Sequence, residues 1–474
     1  MSDPLPADAI RTRPFFFCGI GGSGMLPLAQ LLVAMGARVE GSDRAHDQGR
    51  TPEKFAALRA GGVTLWPQDG SGVRAAEQIL VASAAVEETV PEVGRAAALG
   101  CLRLSRAELL ASLFNASGRG VAVAGTSGKS TVTGMIGWIL HTAGEAPTIV
   151  NGAVMKNFAS ARTPFVSSIA GAGDAFVSEV DESDGSIALF RPAVGVLLNV
   201  SLDHMAIEEL RELFSGFLVE SRTAVVNADD AEVRDLLPSA NEVVTFALDH
   251  PLAQFGIESG SERATDEGQE AVLLDREAGS RHALTLRLAG RHNLANAVAA
   301  VAAAAACGID TDAAVAALAD FAGIARRFDV LGTSAGGITV IDDFAHNPEK
   351  CAATLQTLKA RPGRVLAFFQ PHGYGPLRQM GAELATVFAR ALDAGDVVIL
   401  CDPVYFGGTV DRSEGSERIA RLVEEAGGDA EYLPTREECG DWLVANARPG
   451  DRIVIMGARD DTLTLFARDL LNRL

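Results

Sequence analysis

No apolar run in this chain of 474 residues approaches the length needed to span a bilayer, which argues against a helical membrane protein. Its opening, M-S-D-P-L-P-A-D, lacks the basic and apolar regions of a signal peptide, so a cytoplasmic location is the expectation. Basic residues are scarce: 41 Lys and Arg against 61 Asp and Glu give a formal charge of −20. Nucleic acid and anionic membrane surfaces both need concentrated positive charge, so neither is an expected partner. Any anionic ligand has to be gripped locally. The six cysteines (Cys18, Cys101, Cys307, Cys351, Cys401 and Cys439) are scattered with no C-x-x-C pair, which removes a disulfide framework or structural zinc from consideration.

What is present describes a soluble, multidomain α/β protein. Hydrophobic residues make up 48% and charged residues 22% of the chain, enough apolar surface for large cores. The length suits about three domains of roughly 150 residues each. Breaks are expected near the N-A-S-G-R-G segment and near Asp329, giving domains 1–115, 116–328 and 329–474.

The segment A-V-A-G-T-S-G-K-S-T-V-T, from Ala122 to Thr133, is an apolar strand running into a glycine turn and then a helix. A turn of this kind aims backbone N–H groups at phosphate, and the helix adds its positive end. Gly125, Thr126, Ser127, Gly128, Lys129, Ser130 and Thr131 form the expected cradle, with Lys129 reaching the terminal phosphates and Ser130 on Mg²⁺. Gly125 stands closer to Gly128 than the first glycine of a full Walker A pattern does, so the loop is a variant.

Near the N-terminus, the strand P-F-F-F-C leads into G-I-G-G-S-G-M, a helix and a second strand ending in G-S-D. This is a βαβ unit whose glycines (Gly19, Gly21, Gly22, Gly24) let backbone approach a diphosphate, with Asp43 placed for ribose hydroxyls. A dinucleotide and a nucleotide sugar both fit. Further on, V-S-E-V-D-E-S-D-G-S offers Glu179 as first choice for a metal ligand at a strand end, and S-L-D-H-M places His204 at another. G-R-H-N-L-A-N-A supplies His292, Asn293 and Asn296, which can pair with a base edge or cap a helix. A-R-R-F supplies Arg326 and Arg327, whose forks suit phosphate. In D-D-F-A-H-N-P, Pro348 suits a helix start and leaves Asp343 and His346 in the turn before it.

These motifs, in this order over nearly the whole chain, resemble the Mur ligases of cell-wall peptide synthesis, nearest to the branch that adds L-alanine to UDP-N-acetylmuramate. The resemblance implies an N-terminal Rossmann-like nucleotide-sugar domain, a central P-loop ATPase-like domain and a C-terminal Rossmann-like domain. It implies an ATP- and Mg²⁺-dependent amide ligase working through an acyl phosphate in peptidoglycan synthesis. By the same resemblance, Lys129, His204, Arg326, Asp343 and His346 serve the reaction, and Ser130, Glu179 and His204 hold metal. Adenine falls to His292, Asn293 and Asn296; the UDP portion falls to Gly19, Gly21, Gly22, Ser23, Gly24, Met25, Ser42, Asp43 and Ser83. Three departures from the L-alanine-adding pattern, Ser127, Gly373 and Asn347, leave open a different amine or carboxylate, as in peptide recycling or a non-peptidoglycan substrate. A catalytically inactive ATP-binding regulator is the alternative from another class. The oligomeric state is not readable.

Overall fold

A computed structural model of the chain describes residues 5, 9–83, 86–201, 205–237, 241–265, 268–403, 412, 414–458 and 460–474. Contacts divide it into two compact units, one of residues 1–288 and 293–324 and one of residues 289–292 and 325–474. The second break falls between Ile324 and Ala325, a few residues before the one expected from sequence, and it puts Arg326 with the C-terminal unit.

The first unit holds two sheets. The N-terminal sheet consists of β1 (Phe15–Cys18), β2 (Val39–Ser42), β3 (Thr64–Trp66), β4 (Ile79–Ala82) and β5 (Leu102–Ser105), all parallel in the order β3-β2-β1-β4-β5. Burial on both faces explains the continuous apolar runs F-F-F-C and I-L-V-A, every residue of which is buried. The chain leaves β1 toward β2 on one side and returns to β4 on the other. The carboxyl end of β1 is therefore a switch point, where open α/β sheets bind ligands.

The second sheet is built around β6 (Arg119–Ala124), with β7 (Thr148–Val150), β8 (Ser168–Ile169), β9 (Ala175–Glu179), β10 (Val194–Leu197), β11 (Thr223–Asn227), β12 (Glu242–Phe246), β13 (Phe255–Ile257), β14 (Arg263–Ala264), β15 (Gln269–Asp275) and β16 (Ser280–Leu286). Strand β6 lies between β9 and β10, parallel to both, so it is again a switch point. The alanine-rich stretch lies in the helix Arg291–Ala306, and Ala297 to Ala304 are fully buried. Alanine combines the best helix propensity with a side chain small enough for close packing. The hairpin β15/β16 and its antiparallel neighbours β13 and β14 were not anticipated.

The C-terminal unit carries β17 (Asp329–Thr333), β18 (Thr339–Asp343), β19 (Val365–Gln370), β20 (Val397–Leu400), β21 (Ala430–Tyr432) and β22 (Arg452–Gly457), in the order β17-β18-β22-β19-β20-β21. Only β17 pairs antiparallel. Pro348 starts the helix Pro348–Lys359 as expected, and Asn347 caps it by accepting from Lys350 N at 2.9 Å. Asn347 is thus an N-cap, a role asparagine fills well. No helix among the described residues is long and apolar enough to cross a membrane.

Candidate active site

The turn Gly125–Gly128 joins β6 to the helix Lys129–Thr142. Gly128 takes φ +88°, and a Cβ there would lie 2.7 Å from Asn296 Oδ1, so both backbone and space require glycine. Asn199, at the end of β10, braces the turn. Its Oδ1 accepts from Thr126 Oγ1 and Ser127 N, both at 2.8 Å, and its Nδ2 donates to Ser127 O at 3.1 Å.

Each functional side chain at the start of the helix meets a carboxylate. Ser130 Oγ donates to Glu179 Oε2 at 2.7 Å, and Thr131, next in the helix, is buried. Lys129 Nζ donates to Gly125 O at 2.6 Å and to both oxygens of Glu182 at 3.0 and 2.8 Å. Lys129 is therefore folded back on its own loop. Glu182 is 6% exposed; burial pushes its carboxyl up while Lys129 pulls it down, and the balance is upward. Asp181, two residues beyond Glu179, is opposed by burial, yet Lys129 and the Ser183 N–H hold it below the usual carboxylate range.

Sheet pairing brings Ser130 and Glu179 to one point, because β9 lies directly beside β6 with Glu179 in register with Val123. His204 and its neighbour Asp203 lie outside the described residues. Asn293 is buried and receives Asn296 Nδ2 at 3.3 Å, while Asn296 Oδ1 sits over Gly128. His292 groups with the other unit, where its ring is 2.7 Å from the position of a Cβ on Gly290. Glu182 as the partner of Lys129 and Asn199 as the brace of the loop were not read from sequence, since each arrives from a different strand end.

The glycine turn lies at the carboxyl end of β1. Gly19 N and Ile20 N donate to Ser42 O at 2.8 and 3.0 Å, and Gly19 takes φ +77°. Asp43 Oδ2 accepts from Gly21 N and Oδ1 from Ala45 N, both at 2.8 Å. Both Asp43 oxygens thus hold backbone, one tying the turn and one capping a short helix. Ser42 Oγ donates to the buried Glu92 at 2.7 Å, and Met25 contributes its side chain to the core. Gly22 and Ser23 are exposed, and Ser83 follows the end of β4, next to β1.

In the C-terminal unit, Arg326 takes φ +60°, a rare conformation for a non-glycine residue, and Phe344 N donates to its carbonyl at 2.9 Å. Its guanidinium donates to Gly457 O at 2.8 Å, lies 3.4 Å from Asp342 and covers the Phe344 ring, yet Nη1 is buried without a hydrogen bond. Asp343 accepts from Phe328 N at 2.6 Å and Ala345 N at 2.7 Å. Burial pushes its carboxyl up to about 6, against the pull of these two N–H groups. His346 is buried, with Nδ1 2.8 Å from Phe344 O, and its ring stands edge-on to His372 at 5.1 Å. The motifs D-D-F-A-H-N-P and F-Q-P-H-G-Y therefore meet, though 20 or more residues separate them in sequence.

Comparison with known proteins identifies the family. Residues 14–117 match the model of the Mur ligase family catalytic domain, residues 123–304 the Mur ligase middle domain, and residues 326–459 the Mur ligase glutamate ligase domain. The UDP-N-acetylmuramate–L-alanine ligase of Pelotomaculum thermopropionicum is 35% identical over 460 residues, 95% of either chain. Among solved structures, the UDP-N-acetylmuramate–alanine ligase of Thermotoga maritima superposes with a TM-score of 0.80 at 24% identity, over 97% of this chain and 99% of that one. A murein peptide ligase from Psychrobacter arcticus superposes with a TM-score of 0.72 at 23% identity, over 97% and 98%. With its phosphate loop, its glycine turn and full-length similarity of this extent, the chain belongs to the Mur ligase family.

Proposed function

We propose that this protein joins the amine of L-alanine to the carboxylate of UDP-N-acetylmuramate at the expense of ATP, in the cytoplasm, as a step in peptidoglycan precursor synthesis. The observation that carries the reading is the convergence of Lys129 and Ser130 on Glu182 and Glu179 at the phosphate loop, in a chain similar over its length to ligases of that name. A carboxylate does not react with an amine until its oxygen becomes a leaving group. The carboxylate oxygen attacks the γ-phosphorus and the bond to ADP breaks. The amine nitrogen then attacks the acyl carbon, and phosphate departs with the electron pair as the nitrogen loses its proton.

The phosphate loop supplies N–H donors and the helix end to the nucleotide. Lys129 exchanges Glu182 for phosphate oxygens, leaving a buried carboxyl already pushed toward its protonated form. Ser130 and Glu179 suit Mg²⁺: their oxygens are 2.7 Å apart, and adjacent ligands of an octahedral Mg²⁺ lie about 2.9 Å apart. Bound there, Mg²⁺ would neutralise charge between the nucleotide and the incoming carboxylate. His204 is proposed as a further metal contact. Asn293 and Asn296, with His292, are proposed for adenine, and Arg326 for a phosphate, its Nη1 making no hydrogen bond and lying 3.9 Å from Asp461 Oδ1. Asp343 and His346 are proposed to serve the amine. The UDP portion is assigned to Gly19, Gly21, Gly22, Ser23, Gly24, Met25, Ser42, Asp43 and Ser83.

The test is phosphate release from ATP and Mg²⁺ with UDP-N-acetylmuramate, scanning single amino acids and a peptide, with products identified by mass. An amide formed with L-alanine is expected. Product only with another amine, or only with the peptide, would replace the proposed amine, and tight ATP binding without any product would favour the regulatory alternative.

A further inference from the structure

Arg106 opens the helix Arg106–Asn115, directly after β5, and its backbone is fixed by a capping box between Ser105 and Glu108. The side chain is 20% exposed and lies across the glycine turn. A Cβ on Gly24 would fall 2.7 Å from Arg106 Cδ and 3.1 Å from its Nε. Gly24 has an ordinary φ of −92°, so this glycine is required by the approach of Arg106 and not by the backbone.

Among the described residues, the Arg106 guanidinium makes no hydrogen bond. It forms a long ion pair with Asp184 Oδ2 at 3.9 Å, beyond hydrogen-bond distance. A guanidinium carries five N–H donors in a planar fork matched to phosphate, and those of Arg106 make no hydrogen bond within the described protein while the side chain stays partly open to solvent. The donors lie against the last glycine of a turn at a switch point, beside the N-terminal end of the helix Met25–Ala34, where positive dipole and exposed backbone already favour an anion. Asp184 does not depend on Arg106, because its Oδ1 accepts from Ser186 N at 3.0 Å.

We propose that Arg106 is a nucleotide-sugar-binding residue, whose guanidinium leaves Asp184 to donate to the diphosphate held by the glycine turn. The inference rests on the functional reading above and adds a side-chain cation, supplied by the helix after β5, to a set of assigned residues that contains none. It also gives the acidic loop that restrains Lys129 a contact that changes when the nucleotide sugar arrives.

Titration calorimetry on the full chain tests this with UDP, UDP-N-acetylglucosamine and UDP-N-acetylmuramate. Arg106→Ala is expected to weaken all three by about tenfold or more, the size of a lost charge-assisted hydrogen bond, with ATP affinity changed by less than about twofold. Arg106→Lys should recover part of the loss, and Asp184→Asn should leave the affinities unchanged or tighter. Loss confined to UDP-N-acetylmuramate would assign Arg106 to the sugar's carboxylate and overturn the proposal. So would an equal loss from Asp184→Asn, which would make the pair a structural tie. If Arg106→Ala fails to fold, the comparison of Arg106→Lys with Asp184→Asn still decides. A wild-type chain that binds no uridine nucleotide overturns the functional reading and this inference together, whereas tight binding untouched by Arg106→Ala overturns this inference alone.

Discussion

Lys129 and Asp343 show how a single charged side chain is set by what surrounds it. Lys129 is the cation of the phosphate loop, and its three hydrogen bonds all go to Gly125 and Glu182. Lys129→Ala is expected to abolish acyl-phosphate formation in a pulse-quench assay while leaving nucleotide-sugar affinity within about twofold, because that ligand is assigned to the other sheet of the unit. The same variant leaves Glu182 buried and unpaired, so unfolding should be easier by about 1–3 kcal/mol, and the loss should shrink as the pH is lowered, because protonation removes the buried charge. Asp343 has its carboxyl pushed up to about 6 by burial, above the ordinary value near 3.8, so the folded state binds its proton more tightly than the unfolded state does. Its contribution is full below about pH 4 and is lost as pH rises through 6, by roughly 3 kcal/mol. Urea midpoints at pH 4.5 and 7 should show this fall in the wild type and a smaller one in Asp343→Asn; an unchanged difference would refute the assignment.

At the scale of elements, the two glycine turns are held by different means. The phosphate turn depends on φ at Gly125 and Gly128 and on the Asn199 brace. Gly128→Ala puts a methyl 2.7 Å from Asn296 Oδ1 in a left-handed conformation, and is expected to cost at least about 1 kcal/mol of stability and most of the ATP affinity, read by calorimetry. The nucleotide-sugar turn depends on Asp43, which ties Gly21 N and caps the following short helix. Asp43→Ala is expected to weaken UDP-N-acetylmuramate without weakening ATP; the reverse order would displace the N-terminal assignment. Both turns were readable because glycine spacing, a preceding apolar strand and a following helix are local properties. Asp43 is read from spacing as a contact for ribose; spacing does not reveal that each of its oxygens also accepts a backbone N–H, from Gly21 and Ala45.

At the scale of the whole molecule, the expected succession of three α/β sheets along the chain is present, with the N-terminal and central sheets grouped in one compact unit. Alternation of apolar strands and helices made the parallel sheets legible, since strands buried on both faces must be continuously apolar. The antiparallel additions β13 to β16 and β17 escaped notice, because half-exposed strands in a polar stretch carry a weak pattern. Within β15 buried residues alternate with mostly half-buried ones, and within β16 with exposed ones.

The sequence by itself determined the order of the sheets, the two glycine turns, the placing of Lys129 and Ser130 at a helix start, and the helix start at Pro348, all of which depend on residues near one another in the chain. Tertiary structure alone decided that Glu182 restrains Lys129, that Asn199 braces the loop, that Asn296 covers Gly128, that His346 stands beside His372, and that Arg106 lies on Gly24. Those pairings depend on which strands become neighbours, because a sheet brings together strand ends that lie tens of residues apart in the chain, and no local spacing records that choice.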